Sequence, residues 1–384
     1  MLLTLAMEAS VETFERAHLD SYFGRITERF TPMHDLCSVM VTHLLADRPT
    51  FVQAVGRLAE VRAVLPKPKS IHRDAMAEVS RTSVVDELSR NRFADPDEAV
   101  EYIEERASGR RLVLLDVGGY FAPTLHAMCD RFSGQVVGVV EDTENGFRRY
   151  QVLGKPPCPV FSVARSPLKQ PEDYLVGQSV VFSTEALMRS RGDILHGREA
   201  CVIGFGKLGS SIARMLHSKS VRVTVYDEDP VRMTQAMSQG FRIARSRSDA
   251  LAGAGVVMCA TGNLALRHDD FSHLRNGAHI ATVTSSEDEL EIGGLASLYR
   301  RSPVGEHITR YSTTGHYFYV LNNGNAVNFL HGASVGPFIF LVQAEILAAV
   351  ANLAAQPSEP GYYEVPDADR CFIAQTWLTY FNRR

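Results

Sequence analysis

The stretch Glu199–Pro230, EACVIGFGKLGSSIARMLHSKSVRVTVYDEDP, constrains what this chain can fold into more than any other. An apolar run, Cys201 to Ile203, enters Gly204-Phe-Gly206-Lys207-Leu208-Gly209, a helical segment from Ser210 to His217 follows, and a β-branched run, Val221 to Val225, ends on Tyr226-Asp227. That is strand, glycine turn, helix, strand. Gly204 allows the tight turn, Gly206 lets a pyrophosphate approach the backbone, and Gly209 lets the helix lie close on the strand with its N-terminal N–H groups aimed at phosphates. Asp227 stands eighteen residues beyond Gly209. A carboxylate there accepts hydrogen bonds from the adenosine ribose and repels a 2′-phosphate, which favours NAD over NADP. The competing reading is a glycine-rich turn that binds nothing. Two flanking strands and the closing acid argue against it.

A chain of 384 residues is long enough for two or three domains. Its net charge of −4 comes without a long basic run, so electrostatics give no support to nucleic acid or a membrane surface as partner. Six cysteines occur without a CxxC pair, which points to reduced, cytoplasmic usage and no structural metal. The opening MLLTLAMEAS has no basic leader and meets Glu8 at once, unlike a signal peptide. The apolar segment Pro337 to Ala355 contains Gln343 and Glu345, so it reads as a buried or interface helix.

Residues 1–36 read as helix. Cys37 to Thr42 reads as a strand, the stretch from Asp47 to Leu58 as a helix, and Glu60 to Leu65 as a second strand, a β-α-β unit with His43 at the carboxyl end of its first strand. A helical, charged stretch from Asp74 to Arg106 leads to a strand from Arg111 that ends in Asp116-Val117-Gly118-Gly119-Tyr120. Gln135 to Val140 repeats the pattern and ends in Glu141-Asp142-Thr143-Glu144-Asn145-Gly146; Pro159 to Val163 is another strand. Strand ends thus gather Asp116, Asp142 and Lys169 along one possible cleft, against the alternative of a solvated edge. Beyond the glycine turn, Val256 to Ala260 before Thr261-Gly262-Asn263, and Ala278 to Thr282, fit the far half of a doubly wound sheet. Asn322-Asn-Gly-Asn325 reads as a hairpin turn joining Tyr317–Leu321 to Ala326–Phe329.

Taken together, Leu115-Asp116-x-Gly-Gly119, Glu141-Asp142-Thr143, Lys169 through Asp173 to Val176-Gly-Gln-Ser179, the glycine turn with Asp229-Pro230, Ala326-Val-Asn328 and Gly361-Tyr-Tyr-Glu-Val-Pro366 resemble the S-adenosylhomocysteine hydrolase family from about His43 to about Leu378. The resemblance implies an α/β fold of two Rossmann-like doubly wound domains, the substrate domain discontinuous: residues 1–180 with 337–384 returning to it, and an NAD domain at 181–336. It implies bound NAD that oxidises a ribose hydroxyl so that a thioether can be expelled from the neighbouring carbon and water added. Lys169 and Asp173 occupy the places beside the oxidised hydroxyl, and His43 and Asp142 match substrate-orienting positions. Gly204, Gly206, Lys207, Leu208, Gly209, Asp227, Thr143, Asn145, Thr261, Gly262 and Asn328 stand where NAD is contacted.

The chain also departs from the family. Val117 replaces an acid proposed as the base for elimination, and Tyr120 another acid; Tyr174 replaces an asparagine. Two family histidines fall on Thr284-Ser285-Ser286-Glu287 and on Val335, with His331 nearby as a substitute. The expectation is an NAD-dependent enzyme that keeps hydride transfer at a secondary hydroxyl of a nucleoside or sugar-like substrate and alters the later steps. The alternatives are a catalytically silent NAD-binding regulatory or interaction protein, and a true S-adenosylhomocysteine hydrolase with relocated bases. The family's exchanged carboxyl tail has no counterpart, which makes a homodimer the expected assembly.

Overall fold

The structure, a computed structural model, describes residues 2–30, 35–283, 289–330, 335–355 and 359–382. It divides into two compact units, Met1–Lys169 with Pro337–Arg384, and Gln170–Gly336. The division expected at 180/181 falls inside one uninterrupted helix, Gln170–Ser190. Val180, Val181, Leu187 and Met188 of that helix belong to the apolar core of the second unit, which is why the helix goes with that unit from its first turn.

In the first unit the strands β1 (Leu36–Leu44), β2 (Glu60–Ile71), β3 (Val84–Val85), β4 (Arg111–Asp116), β5 (Gln135–Glu141) and β6 (Val160–Ser162) form a parallel sheet with the late strand Tyr362–Tyr363. The spatial order is Tyr362–Tyr363, β6, β5, β4, β1, β2, β3. Strand direction of travel therefore reverses between β1 and β4. The runs are apolar on both faces because both are covered: in β4, Leu112 and Leu114 enter one core while Val113 and Leu115 enter the other. The helix Ile339–Ala355 is packed into the core that Val113 and Leu115 enter, and its Glu345 is fully buried against Arg370 Nε at 2.7 Å. It is the one described helix apolar and long enough to cross a membrane, and 72% of that window is buried.

The second unit repeats the plan. Its strands are β7 (Glu199–Ile203), β8 (Arg222–Tyr226), β9 (Arg242–Ile243), β10 (Val256–Cys259), β11 (Ala278–Thr282), β12 (Arg300–Gly305), β13 (Ile308–Thr313) and β14 (His316–Leu321), in the order β12-β13-β14-β11-β10-β7-β8-β9. From β9 to β14 all neighbours are parallel, and the order reverses between β7 and β10; β12 and β13 add an antiparallel edge. Each unit is thus a doubly wound sheet with a switch point at the carboxyl ends of two central strands.

Two expectations are corrected. The strand from Glu60 does not stop at Leu65 but runs through Pro66-Lys-Pro-Lys to Ile71, with Leu44 paired to Ile71 beyond an irregularity. Nor does Asn322–Asn325 join a strand pair. Asn322, Asn323 and Gly324 all take positive φ (48°, 52° and 82°) and form a short 3-10 turn, and residues Val327–Phe329 are 3-10 rather than strand. The partner of β14 is β13, joined by a tight turn in which Gly315 has φ 78°.

Candidate active site

At the switch point of the second unit the three glycines separate by role. Gly204 has φ +92°, a conformation that costs a residue with a side chain. A Cβ on Gly209 would lie 1.9 Å from the carbonyl oxygen of Gly204, so the helix Lys207–Ser218 approaches β7 as closely as it does only because that atom is missing. A Cβ on Gly206 would meet only the Arg232 guanidinium, at 3.2 Å and beyond, which leaves the face of the turn open for a ligand. Gly206 is also the N-cap of that helix, so its first-turn N–H groups are available to an anion.

Asp227, at the end of β8, is turned onto this loop: its Oδ2 accepts the Phe205 N–H at 2.6 Å and its Oδ1 the Asp229 N–H at 2.9 Å. Each oxygen keeps a second lone pair for a ribose hydroxyl. Across the switch point, Thr261 and Gly262 form a turn after β10, with the Gly262 N–H donating to buried Glu289 Oε1 at 2.9 Å. Asn328 lies in the short turn Val327–Phe329, and its Oδ1 is buried without a hydrogen-bond partner among the described residues. A buried carbonyl of this kind calls for a donor, and an amide N–H of a bound ligand supplies one. Lys207, first residue of the helix, pairs with Asp173 Oδ2 at 3.2 Å, and Leu208 packs against the core. The open glycine turn, the acid and the orphaned Asn328 oxygen fit a dinucleotide.

The first unit's switch point is built from side chains. His43 comes from β1, Lys67 and Ser70 from β2, Asp116 to Tyr120 from the end of β4, Glu141 to Asn145 from the end of β5, and Lys169 from the turn after β6. Lys169 Nζ donates to Asp142 Oδ1 at 2.8 Å, and both side chains are largely buried, at 11% and 17% exposure. Such a pair is less screened than a surface one. His43 Nδ1 and Ser70 Oγ are 2.5 Å apart, and Ser70 Oγ also lies 3.3 Å from the Lys67 carbonyl oxygen, so the serine hydroxyl fixes the orientation of the ring. Burial, reinforced by the charges of Lys67 and Arg48, lowers His43 to about 3, so the ring is neutral at physiological pH.

Beneath these groups two buried acids hold the glycine turn after β4. Glu141 accepts the Gly118, Gly119 and Thr143 N–H groups and the Thr143 hydroxyl, while Asp116 Oδ2 accepts the Phe121 N–H and the Tyr150 hydroxyl. Burial pushes both carboxyls up, and the Asp116 charge pushes Glu141 further. Gly118, at φ +114°, and Gly119, at φ +65°, allow the backbone N–H groups to turn inward to Glu141. Lys67 Nζ donates to the Val117 carbonyl at 3.1 Å, and burial, with the Arg90 charge added, lowers its ammonium from the ordinary range. Val117 and Tyr120 are buried, the latter under the Arg90 guanidinium at 4.0 Å.

Of the residues expected at the substrate site, His43, Asp142 and Lys169 come together on one sheet edge. Asp173 is in the second unit and is paired with Lys207, whereas Lys169 is paired with Asp142. Thr143 and Asn145 stand at the start of the helix Glu144–Gln151, where the Thr143 hydroxyl accepts the Gly146 N–H at 3.0 Å as a cap while donating to Glu141. Val335 is half-buried and Tyr174 exposed. His331 and the stretch 284–287 lie outside the described residues. The sequence reading gave no role to Lys67, Ser70, Glu141 or Arg232. Ending β2 at Leu65 hid the first two, since the carboxyl end of a strand that runs on to Ile71 is where a ligand-facing lysine belongs.

Residues 174–334 match the family model described as S-adenosyl-L-homocysteine hydrolase, NAD binding domain. The chain is 25% identical over 376 residues to the S-inosyl-L-homocysteine hydrolase of Methanopyrus kandleri, covering 90% of this chain and 84% of that one. It is 25% identical over 359 residues to the adenosylhomocysteinase of Archaeoglobus fulgidus, covering 90% and 87%. Among solved structures, a phosphoglycerate oxidoreductase from Vibrio cholerae matches with a TM-score of 0.43 and 14% identity, covering 68% of this chain and 79% of that one.

Proposed function

Starting from the match to the adenosylhomocysteinase NAD-binding domain and the likeness to those enzymes over most of the chain, we propose that it is a divergent, NAD-binding member of that family that oxidises a secondary hydroxyl of a nucleoside or sugar-like substrate. The observation that carries this reading is the buried Lys169–Asp142 pair at 2.8 Å, set on the ligand-bearing edge of the first unit's sheet. Oxidation of an alcohol needs one group to hold the oxygen and one to take its proton. Lys169 holds the substrate oxygen and relays its proton to the Asp142 carboxylate. Neutral His43, oriented through Ser70, adds a hydrogen bond without adding charge.

NAD, when bound, supplies the acceptor for the hydride that leaves the alcohol carbon. In this chain the turn at Gly204 to Gly206 and the helix N-terminus that Gly209 seats against it would hold its pyrophosphate, Asp227 its adenosine ribose and Asn328 its carboxamide. The relatives named for S-inosyl- and S-adenosyl-homocysteine make thioether nucleosides the first substrates to try. Thioether expulsion needs a base where Val117 offers none, so the reading favours reversible oxidation over hydrolysis. Mixing the NAD-loaded protein with S-inosyl- and S-adenosyl-homocysteine, inosine and adenosine tests it. Growth of reduced-nicotinamide absorbance without thiol release is expected. Stoichiometric thiol release would instead favour a hydrolase with relocated bases, and bound cofactor that never changes redox state would favour a silent binder.

A further inference from the structure

We propose that Arg232 supplies a ready-made phosphate-binding group in the dinucleotide site, leaving the Asp227 carboxylate as the barrier that keeps a 2′-phosphate out. Arg232 is the third residue of the helix Pro230–Ser238 that follows β8. Its NH1 is 3.7 Å from Asp227 Oδ2 and its Nε 3.8 Å from Asp229 Oδ2. Both separations exceed hydrogen-bond length, so the guanidinium donors are not committed to either acid. On its other side, NH1 lies 3.2 Å from the place a Cβ would take on Gly206. The guanidinium therefore spans the interval between the open face of the phosphate turn and the ribose-reading acid, with its side chain 32% exposed.

That interval is where the adenosine ribose and its phosphate lie in a dinucleotide bound at such a turn. A planar fork of five donors matches a phosphate better than it matches a hydroxyl. With NAD, Asp227 takes the ribose hydroxyls and Arg232 the adenosine-side phosphate. With NADP, the same arginine attracts the additional phosphate while the acid repels it, so selection rests on one carboxylate and not on the shape of the site. The inference presupposes that the second unit binds NAD.

The test is the calorimetric affinity of the full chain for NAD and NADP, in the wild type, Asp227→Asn, Arg232→Met and the double variant. Asp227→Asn is expected to tighten NADP binding by about 10- to 100-fold, and the double variant to lose that gain, the range expected for a charge-assisted hydrogen bond. Equal NADP affinity in the double variant and in Asp227→Asn overturns the proposal. Asp227 also accepts two backbone N–H groups, so Asp227→Asn can perturb the turn. Arg232→Met keeps the acid and is expected to weaken NAD by at least about fivefold, and unchanged NAD affinity in that variant overturns the proposal too. A wild type that binds neither NAD nor NADP would refute the cofactor reading itself, a separate result from either of these.

Discussion

At the carboxyl edge of the second unit's sheet the groups open to a ligand are mostly backbone: the face of Gly206, the helix N-terminus behind it, and the Gly262 turn, with Asp227, Arg232 and Asn328 as the side chains beside them. At the matching edge of the first unit they are mostly side chains: neutral His43, the Lys169–Asp142 pair, and Lys67 and Arg90 around a glycine turn held by Asp116 and Glu141. Both sheets are doubly wound about a central switch point. An edge built from backbone has its chemistry fixed by where a Cβ is forbidden, so it keeps one function as surrounding residues change. An edge built from side chains changes its chemistry with a single residue, as Val117 and Tyr120 illustrate where the family resemblance leads one to expect acids.

Perturbations that separate the two edges sharpen this contrast. Lys169→Met should lower single-turnover oxidation by about 10³-fold, the range for a positioned proton-transfer group, while NAD affinity stays within about twofold. Gly209→Ala should do the reverse. Its Cβ would sit 1.9 Å from the Gly204 carbonyl, so thermal and calorimetric measurements should find a loss of at least about 3 kcal/mol in stability and no measurable NAD binding, with no repair from any substrate. A Gly209→Ala protein that binds NAD normally would remove the distinction.

A pH series sharpens the contrast from another side. His43 titrates at about 3 in the fold against 6.5 in an unfolded chain. Below about 6.5 the unfolded state takes up a proton that the folded state refuses, so stability falls as pH drops through this window. At pH 5 the loss comes to about 2 kcal/mol relative to pH 7.5, and His43→Gln should remove it in urea titrations. His279 in the second unit, lowered to about 4 chiefly by burial, should leave its own acid slope intact in that variant. Smallest of all, Asn328→Ala should weaken NAD by about five- to tenfold, the worth of one hydrogen bond, with stability unchanged or improved because a buried orphan oxygen is gone.

The second unit was the more legible in sequence because its chemistry is local. The turn, the helix behind it and the acid at the end of the next strand lie within 32 residues, Glu199–Pro230, and each glycine has one mechanical role. The first unit's edge is assembled from positions as far apart as His43 and Lys169, and no spacing rule brings them together; the family resemblance did. The residues that sequence reasoning missed were lost at element boundaries. The prolines at 66 and 68 suggested that β2 had ended, which hid Lys67 and Ser70, yet the strand carries both prolines beside an irregular register. Likewise Asn322-Asn-Gly carries the left-handed residues of a hairpin turn, but three consecutive positive φ values curl the chain away, and the hairpin closes at Gly315 instead. The pairing of Lys169 with Asp142, and of Asp173 with Lys207, is tertiary information that the Lys169–Asp173 spacing could not supply.

The most direct measurement is a rapid-mixing experiment on the NAD-loaded full chain with S-inosyl-homocysteine, following nicotinamide absorbance in the wild type and in Lys169→Met. The account predicts that the wild type reduces its cofactor within a single turnover, while the variant holds NAD equally well and leaves it oxidised. A wild type that binds both partners without any change in the cofactor, or a variant that reduces it as fast as the wild type, would contradict the assignment of oxidation to the Lys169–Asp142 edge.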